Sequence, residues 1–190
     1  MWNERVIATA VGRQTLARKC VVLVDNCNWT GHECDVLAVT TDLRVIDVEV
    51  KISRSDLKAD ARKDKWWHYP SYTWGTPKPQ PIAKPWPNKV WKHYYAMPAD
   101  IWDDSLFDVL PSTKSGVLLM RWQGRDGRYP AAVCRRRATP NKDAYRLKPE
   151  EVMDIARLAN LRMWDAYERE AKNKITTDLH PDSQPVDLPQ

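Results

Sequence analysis

Asp35, Glu49 and Lys51 have the side chains that metal-assisted phosphoryl chemistry requires. Two carboxylates can hold a hard cation, and an ammonium can act on the attacking water or on developing negative charge. Their spacing suits that use. In a strand, residues two apart share a face, so Glu49 and Lys51 point the same way, with Asp47 beside them, while Val48, Val50 and Ile52 point the other way. Such alternation means one face in a core and one lining something that needs charge. Asp35 opens the preceding apolar segment, Cys34 to Thr40. If that segment and Leu43 to Ile52 form a hairpin through Thr41-Asp42, the start of one lies beside the end of the other, and Asp35 meets Glu49. Converging carboxylates repel unless a cation lies between them, so Mg²⁺ or Mn²⁺ is the expected cofactor.

The elements that must position these residues are legible along the chain. Val6, Ile7, Ala10, Val11 and Leu16 have near-helical spacing, which predicts an amphipathic helix from about Glu4 to Lys19. Val21 to Asp25 predicts a strand ended by Asn26-Cys27-Asn28. Ser53 and Ser55 are candidate caps for a second helix through Leu57, Ala61 and Lys65. Six prolines from Pro70 to Pro87 exclude regular helix and central strand and predict a long Pro/Trp-rich loop over 70–92. Strands are expected at His93 to Pro98, Gly116 to Trp122 and Tyr129 to Arg135, the last two a hairpin about Asp126-Gly127. A final helix begins at Pro149 and runs to about Lys172. No internal repeat is present.

The chain has 190 residues, enough for one sizeable core, so a single domain over 1–173 with a polar, proline-punctuated tail over 174–190 is expected. A net charge of +5 suits a polyanionic partner, and DNA is the expected one, with a homodimer left open. No apolar run reaches the length of a membrane span and no secretory signal opens the chain, so a cytoplasmic protein with no membrane partner is expected. In that setting Cys20, Cys27, Cys34 and Cys134 are expected as free thiols. Zinc held by Cys20, Cys27, His32 and Cys34 is disfavoured, because no pair has a zinc-knuckle spacing.

Asp35 followed by Glu49-Val50-Lys51, in the order helix, strand, strand, strand, helix, strand, resembles the PD-(D/E)xK nuclease superfamily. Cys34 stands where that signature usually has proline. The run from Ile46 to Asp60, then Lys65-Trp66 and Tyr69, is similar to the MmcB family of DNA-repair endonucleases within that superfamily. Tyr95-Ala-Met-Pro98, Leu110-Pro111 before Gly116-Val-Leu, and Ala156 to Met163 extend the similarity over most of 20–165. The chain departs from it in the length of 70–87, and at Asp25 and His32-Glu33. The resemblance implies an α/β, restriction-endonuclease-like fold: an αβββαβ mixed sheet flanked by helices, with an added C-terminal hairpin and helix. It further implies a divalent-metal-dependent DNA endonuclease of DNA repair or phage DNA metabolism, with Asp35, Glu49 and Lys51 catalytic, the first two on the metal, and Asp25 a further ligand.

Other residues admit two uses. Glu33 alternates with Asp35 and could join the metal, or be a solvated strand-end charge; Glu4 reads as a helix-start charge. Ser53, Ser55, Asp56 and Lys65 could contact DNA, although serines and Asp56 at a helix start serve equally as caps. Trp66, Trp67, Tyr69, Tyr72 and Trp74 could stack on unpaired bases or pin the proline loop, and packing is the expectation. Arg135, Arg136 and Arg137 form the densest basic cluster, a candidate phosphate patch or a solvated strand end. Two competing functions remain: a DNA-binding protein that keeps the fold without catalysis, and a protein that binds another protein through its tryptophan-rich loop.

Overall fold

A computed structural model describes residues 1–124 and 127–179, with side chains to 174 in the last helix. Its centre is a mixed six-stranded sheet. The chain runs α1 (Glu4–Ala10), a π-helical continuation (Val11–Leu16), β1 (Cys20–Cys27), β2 (Cys34–Thr40), β3 (Val45–Val50) and α2 (Arg54–Asp60). It continues with β4 (Trp67–His68), β5 (Ile82–Ala83), β6 (Val90–Pro98), a 3₁₀ turn (Asp104–Asp108), β7 (Gly116–Gln123), β8 (Tyr129–Arg136) and α3 (Pro149–Leu179). The strand order in the sheet is β1-β2-β3-β6-β7-β8. The β3–β6 and β6–β7 pairs are parallel; the others are antiparallel.

Strand alternation divides the core between the two faces. Val36, Ala38, Ile46, Val48, Val50, Ala96, Leu118 and Met120 pack against Ile7, Ala10, Val11 and Leu16 of the first helix. On the other face, Leu37, Val39 and Val45 meet Leu147, just before α3, and Ile155 of α3, while Tyr95, Met97, Val117 and Leu119 meet Leu57 of α2 and Leu106 of the 3₁₀ turn. The chain is thus α/β, a mixed sheet flanked by helices. Among the described residues no helix is long and apolar enough to cross a membrane.

Several expected boundaries move. The second helix stops at Asp60, and tight turns through Ala61–Trp66 carry Lys65 back toward the sheet, where carboxylates attract it. The proline loop is closed at its base by the two-residue ribbon β4–β5, a short pairing that an edge position permits. Trp66 is buried against Trp86 and His93, whereas Tyr72 and Trp74 are exposed, so packing accounts for only part of that aromatic set. The helix α3 continues past Lys172 to Leu179, and residues 180–190 of the expected tail, like Asp126 of the expected turn, lie outside the described residues.

The largest change for the site is one residue in the β2–β3 connection. A two-residue turn at Thr41-Asp42 would pair Thr40 with Leu43 and bring Asp35 opposite Val48. Instead the Leu43 N–H donates to the Thr40 carbonyl (3.0 Å), the Thr40 N–H donates to the Arg44 carbonyl (2.9 Å), and Leu43 adopts a positive φ of 63°. This is a three-residue hairpin loop with a left-handed third residue. Its register pairs Val39 with Val45 and Val36 with Val48, so Asp35, one residue beyond, lies opposite Glu49. A slip of one would turn every side chain of the strand to the other face. Leucine tolerates the left-handed region poorly, and a β-branched residue tolerates it worse. Leu43 already bears the general cost of that region, so Leu43→Val should add the smaller cost of β-branching, about 1 kcal/mol or less in urea denaturation; a variant as stable as the parent would show that the loop is not so constrained.

Candidate active site

The charged face of β3 lies under α2 and the turn that follows it. Ser53 caps α2 by accepting the Asp56 N–H at 3.1 Å, which starts the helix directly after Lys51 and brings its last residue, Asp60, over the sheet. Lys51 Nζ lies 3.0 Å from Glu49 Oε2, 3.5 Å from Asp60 Oδ1 and 3.9 Å from Asp35 Oδ2. Lys65 Nζ lies 2.5 Å from Glu49 Oε1 and 3.3 Å from Asp60 Oδ2. The Tyr95 hydroxyl donates to Asp60 Oδ2 at 3.0 Å, and Lys63 reaches Asp60 Oδ1 at 2.9 Å. Glu49 is 2 % exposed and Lys51 4 %, so both sit inside a closed ion network.

Asp35 differs. Its side chain is about a quarter exposed (27 %), and its Oδ2 accepts the Val50 N–H at 2.6 Å at the end of β3. From there it opens onto a cleft of about 510 Å³ between the first helix and α3. Glu4, Asp25, Arg5, Arg162 and Arg169 also line this cleft. Glu4 is therefore part of the site surroundings as well as a helix-start charge. Asp25 is exposed and 3.8 Å from Arg162, which also donates to the Asn26 carbonyl. Glu33, exposed and outside β2, is not among the residues lining the cleft, because β2 begins only at Cys34.

Electrostatics separates the carboxylates. Burial and then the neighbouring Glu49 push the Asp35 carboxyl up to about 6, against the Val50 N–H and Lys51. Burial and then Glu49 push Asp47 up to about 7. Burial opposes ionisation of Glu49 and Asp60 as well, but Lys65 and Lys51 outweigh it and hold both below the usual range. The same carboxylates hold Lys51 above the usual lysine range despite its burial. Behind Glu49, His93 is buried on β6 in register with Asp47, and burial followed by Lys65 lowers it to about 3.

Of the residues expected from sequence, Asp35, Glu49, Lys51 and Lys65 are brought together. Lys65 serves as an internal counterion, which its burial sets against a DNA contact. Ser53 caps α2, Ser55 lies 2.9 Å from the Ser53 hydroxyl, and Asp56 sits in the first helical turn, so these three organise the helix start. The cluster Arg135, Arg136, Arg137 lies at the far end of the sheet, three strands from β3 and so roughly 14 Å away. Arg135 pairs with Asp104, Arg136 donates to the Ser115 carbonyl at 2.9 Å and stacks over Phe107, and Arg137 is exposed. His93, Tyr95 and Asp60 were missing from the expected set. The four cysteines are free, and among the described residues the potential zinc donors Cys20, Cys27, His32 and Cys34 form no metal-binding group.

No family model matches the chain, and no curated protein does. Among solved structures it is similar to the SPO1766 protein of unknown function from Silicibacter pomeroyi, with 16% identity, 99% of each chain covered and a TM-score of 0.52. That likeness concerns the fold alone.

The shifts of Asp47 and His93 yield a pH test. An acid raised from about 4 to about 7 on folding contributes stability that is complete below pH 4 and lost as pH rises through 7. His93, depressed to about 3, acts oppositely over part of that window. Because its Nε2 lies 3.9 Å from Asp47 the two titrate together, so the parent and Asp47→Asn are both compared in a His93→Gln background, which removes the histidine's own contribution. Urea denaturation from pH 4 to 8 should show the parent losing stability relative to Asp47→Asn as pH rises. A pH-independent difference would show that Asp47 is not perturbed in this way.

Proposed function

We propose that the chain is a divalent-metal-dependent DNA nuclease of the PD-(D/E)xK type, related to the MmcB family: an endonuclease of DNA repair or phage DNA metabolism. The observation that carries this reading is the hairpin register, which sets Asp35 opposite Glu49 with the Lys51 ammonium beside both, at the rim of an arginine-lined cleft.

Asp35 and Glu49 would hold Mg²⁺ or Mn²⁺, and the donor set fits: both are hard carboxylate ligands, and Asp35 is raised partly by Glu49, a repulsion that a cation relieves. The metal would supply Lewis acidity and a more acidic water. Lys51, tied to Asp35 and Glu49, would orient the attacking water or balance charge on the scissile phosphate. Arg5, Arg162 and Arg169 would receive the flanking phosphates, taking the place expected for Arg135, Arg136 and Arg137. Both Glu49 oxygens face an ammonium, Oε1 that of Lys65 and Oε2 that of Lys51, so one of the two lysines would have to give way for a metal to reach it.

That last requirement favours a second reading, a DNA-binding protein with this fold and no catalysis, in which the lysine ammoniums permanently fill the cation's place. Labelled linear, circular, flapped and junction DNAs incubated with and without Mn²⁺ separate the two. Under the first reading the parent cleaves at least one of them, Asp35→Ala abolishes cleavage, and Lys51→Ala lowers turnover by about a hundredfold while DNA is still bound. DNA retention without cleavage by the parent in any metal would leave the second reading.

The cleft makes a separate prediction. Replacing Arg162 and Arg169 with alanine should reduce the slope of log affinity against log salt by roughly 2, as expected for two lost phosphate contacts. Replacing Arg135, Arg136 and Arg137 should reduce it less. The reverse order would move the DNA surface to β8.

A further inference from the structure

Two buried polar atoms behind Glu49 face the same spot without partners. His93 is 1 % exposed, and its Nδ1 lies 3.0 Å from the Ser115 hydroxyl. Its Nε2 is then directed at Asp47, 3.9 Å from Oδ2. Neither His93 Nε2 nor Asp47 Oδ1 has a hydrogen-bond partner. Leaving such atoms unsatisfied costs the full penalty of their lost hydration, so their persistence calls for an explanation. Donor atoms of Asp47, Glu49 and His93 all lie within 4.8 Å of one another. Backbone geometry produces this convergence: Asp47 and Glu49 are two apart on β3, and His93 is the register partner of Asp47 across the parallel pair.

We propose that Asp47, Glu49 and His93 form a binding site for a divalent transition metal, with Zn²⁺ or Mn²⁺ as the ions it would take. The site shares Glu49 with the Asp35 pair but depends on neither DNA nor turnover. One imidazole and two carboxylates suit these ions better than Mg²⁺, which prefers oxygen ligands and water. The Ser115 hydroxyl is the outer partner of the histidine. By engaging Nδ1 it fixes the ring and leaves Nε2 as the donor. Ligands held on two adjacent strands of a central sheet are set by the backbone, so side-chain adjustment alone closes the ligand shell.

The ammonium of Lys65 occupies one side of Glu49 and also touches Asp60. A metal on Glu49 displaces the first contact and leaves the second, so Lys65 remains paired.

The test is calorimetric titration of the full chain with Zn²⁺, Mn²⁺ and Mg²⁺, for the parent, His93→Gln and Asp35→Asn. The expected result is one Zn²⁺ bound per chain, at least tenfold more weakly in His93→Gln and without such loss in Asp35→Asn, whereas Mn²⁺ or Mg²⁺ binding that falls in Asp35→Asn belongs to the Asp35–Glu49 pair. Equal Zn²⁺ affinity in the parent and His93→Gln overturns the proposal, as does loss of all metal binding in Asp35→Asn. Because His93→Gln could disturb folding, the unmutated protein supplies a second measurement. In long-range ¹H–¹⁵N spectra, Zn²⁺ should shift the Nε2 resonance of the histidine whose ring hydrogen-bonds Ser115, and an unmoved resonance at saturating Zn²⁺ overturns the proposal. Failure of DNA cleavage with His93-dependent Zn²⁺ binding intact would count against the nuclease reading alone; the converse result would count against this site alone.

Discussion

Charge buried on the inner face of β3 constrains everything packed around it. Each ion removed from water costs several kcal/mol unless partners surround it, and neighbouring elements must provide them. Lys51 comes from β3's own end, Asp60 from the last turn of α2, Lys63 and Lys65 from the turn beyond, and the Tyr95 hydroxyl from β6. This explains why α2 is short and why the chain doubles back after Asp60 instead of extending the helix. It also accounts for the division between Asp35 and the rest: Asp35 sits where the network reaches the rim, mostly covered but opening onto the cleft.

The distribution of charge follows from that division. Lys51 is shared by Asp35, Glu49 and Asp60, so a change of charge at the rim is felt by groups sealed beneath α2. The arginines of the cleft come from elements far apart in sequence, Arg5 on the first helix and Arg162 and Arg169 on α3, brought together by packing on opposite sides of β1 and β2. The cleft is thus lined by charges of both signs, Glu4, Asp25 and Asp35 beside Arg5, Arg162 and Arg169.

Residues governed by local periodicity were legible in the sequence. The alternation through Asp47, Glu49 and Lys51 marked the charged face of β3, and Ser53 marked the start of α2. Residues whose partners lie far away were not. His93 and Tyr95 join the site only through the register of a parallel pair, which no local pattern encodes, and their apolar neighbours Met97 and Val90 made the strand look like ordinary core. Arg135 and Arg136 looked like a phosphate patch because Asp104 and Phe107, about thirty residues earlier, cannot be foreseen as their partners. The β2–β3 loop was misjudged because Leu43 is an unusual residue for a left-handed position, where glycine or asparagine would have signalled the longer turn.

That loop carries a consequence for how the chain can change over evolutionary time. Thr41 and Asp42 are exposed, and their side chains can be exchanged at little cost to packing. Their number cannot. An insertion or deletion of a single codon there shifts β2 against β3, turns Asp35 toward the apolar face and brings a valine to the charged one. The proline-rich excursion, closed at its base by the Trp67–His68 and Ile82–Ala83 ribbon, is insulated from the sheet and can lengthen or shorten freely. Sequences descended from a common ancestor with this chain should therefore vary in length across 70–81 while keeping the count between Asp35 and Glu49, and a gap in that interval would mark a lineage that has abandoned the site.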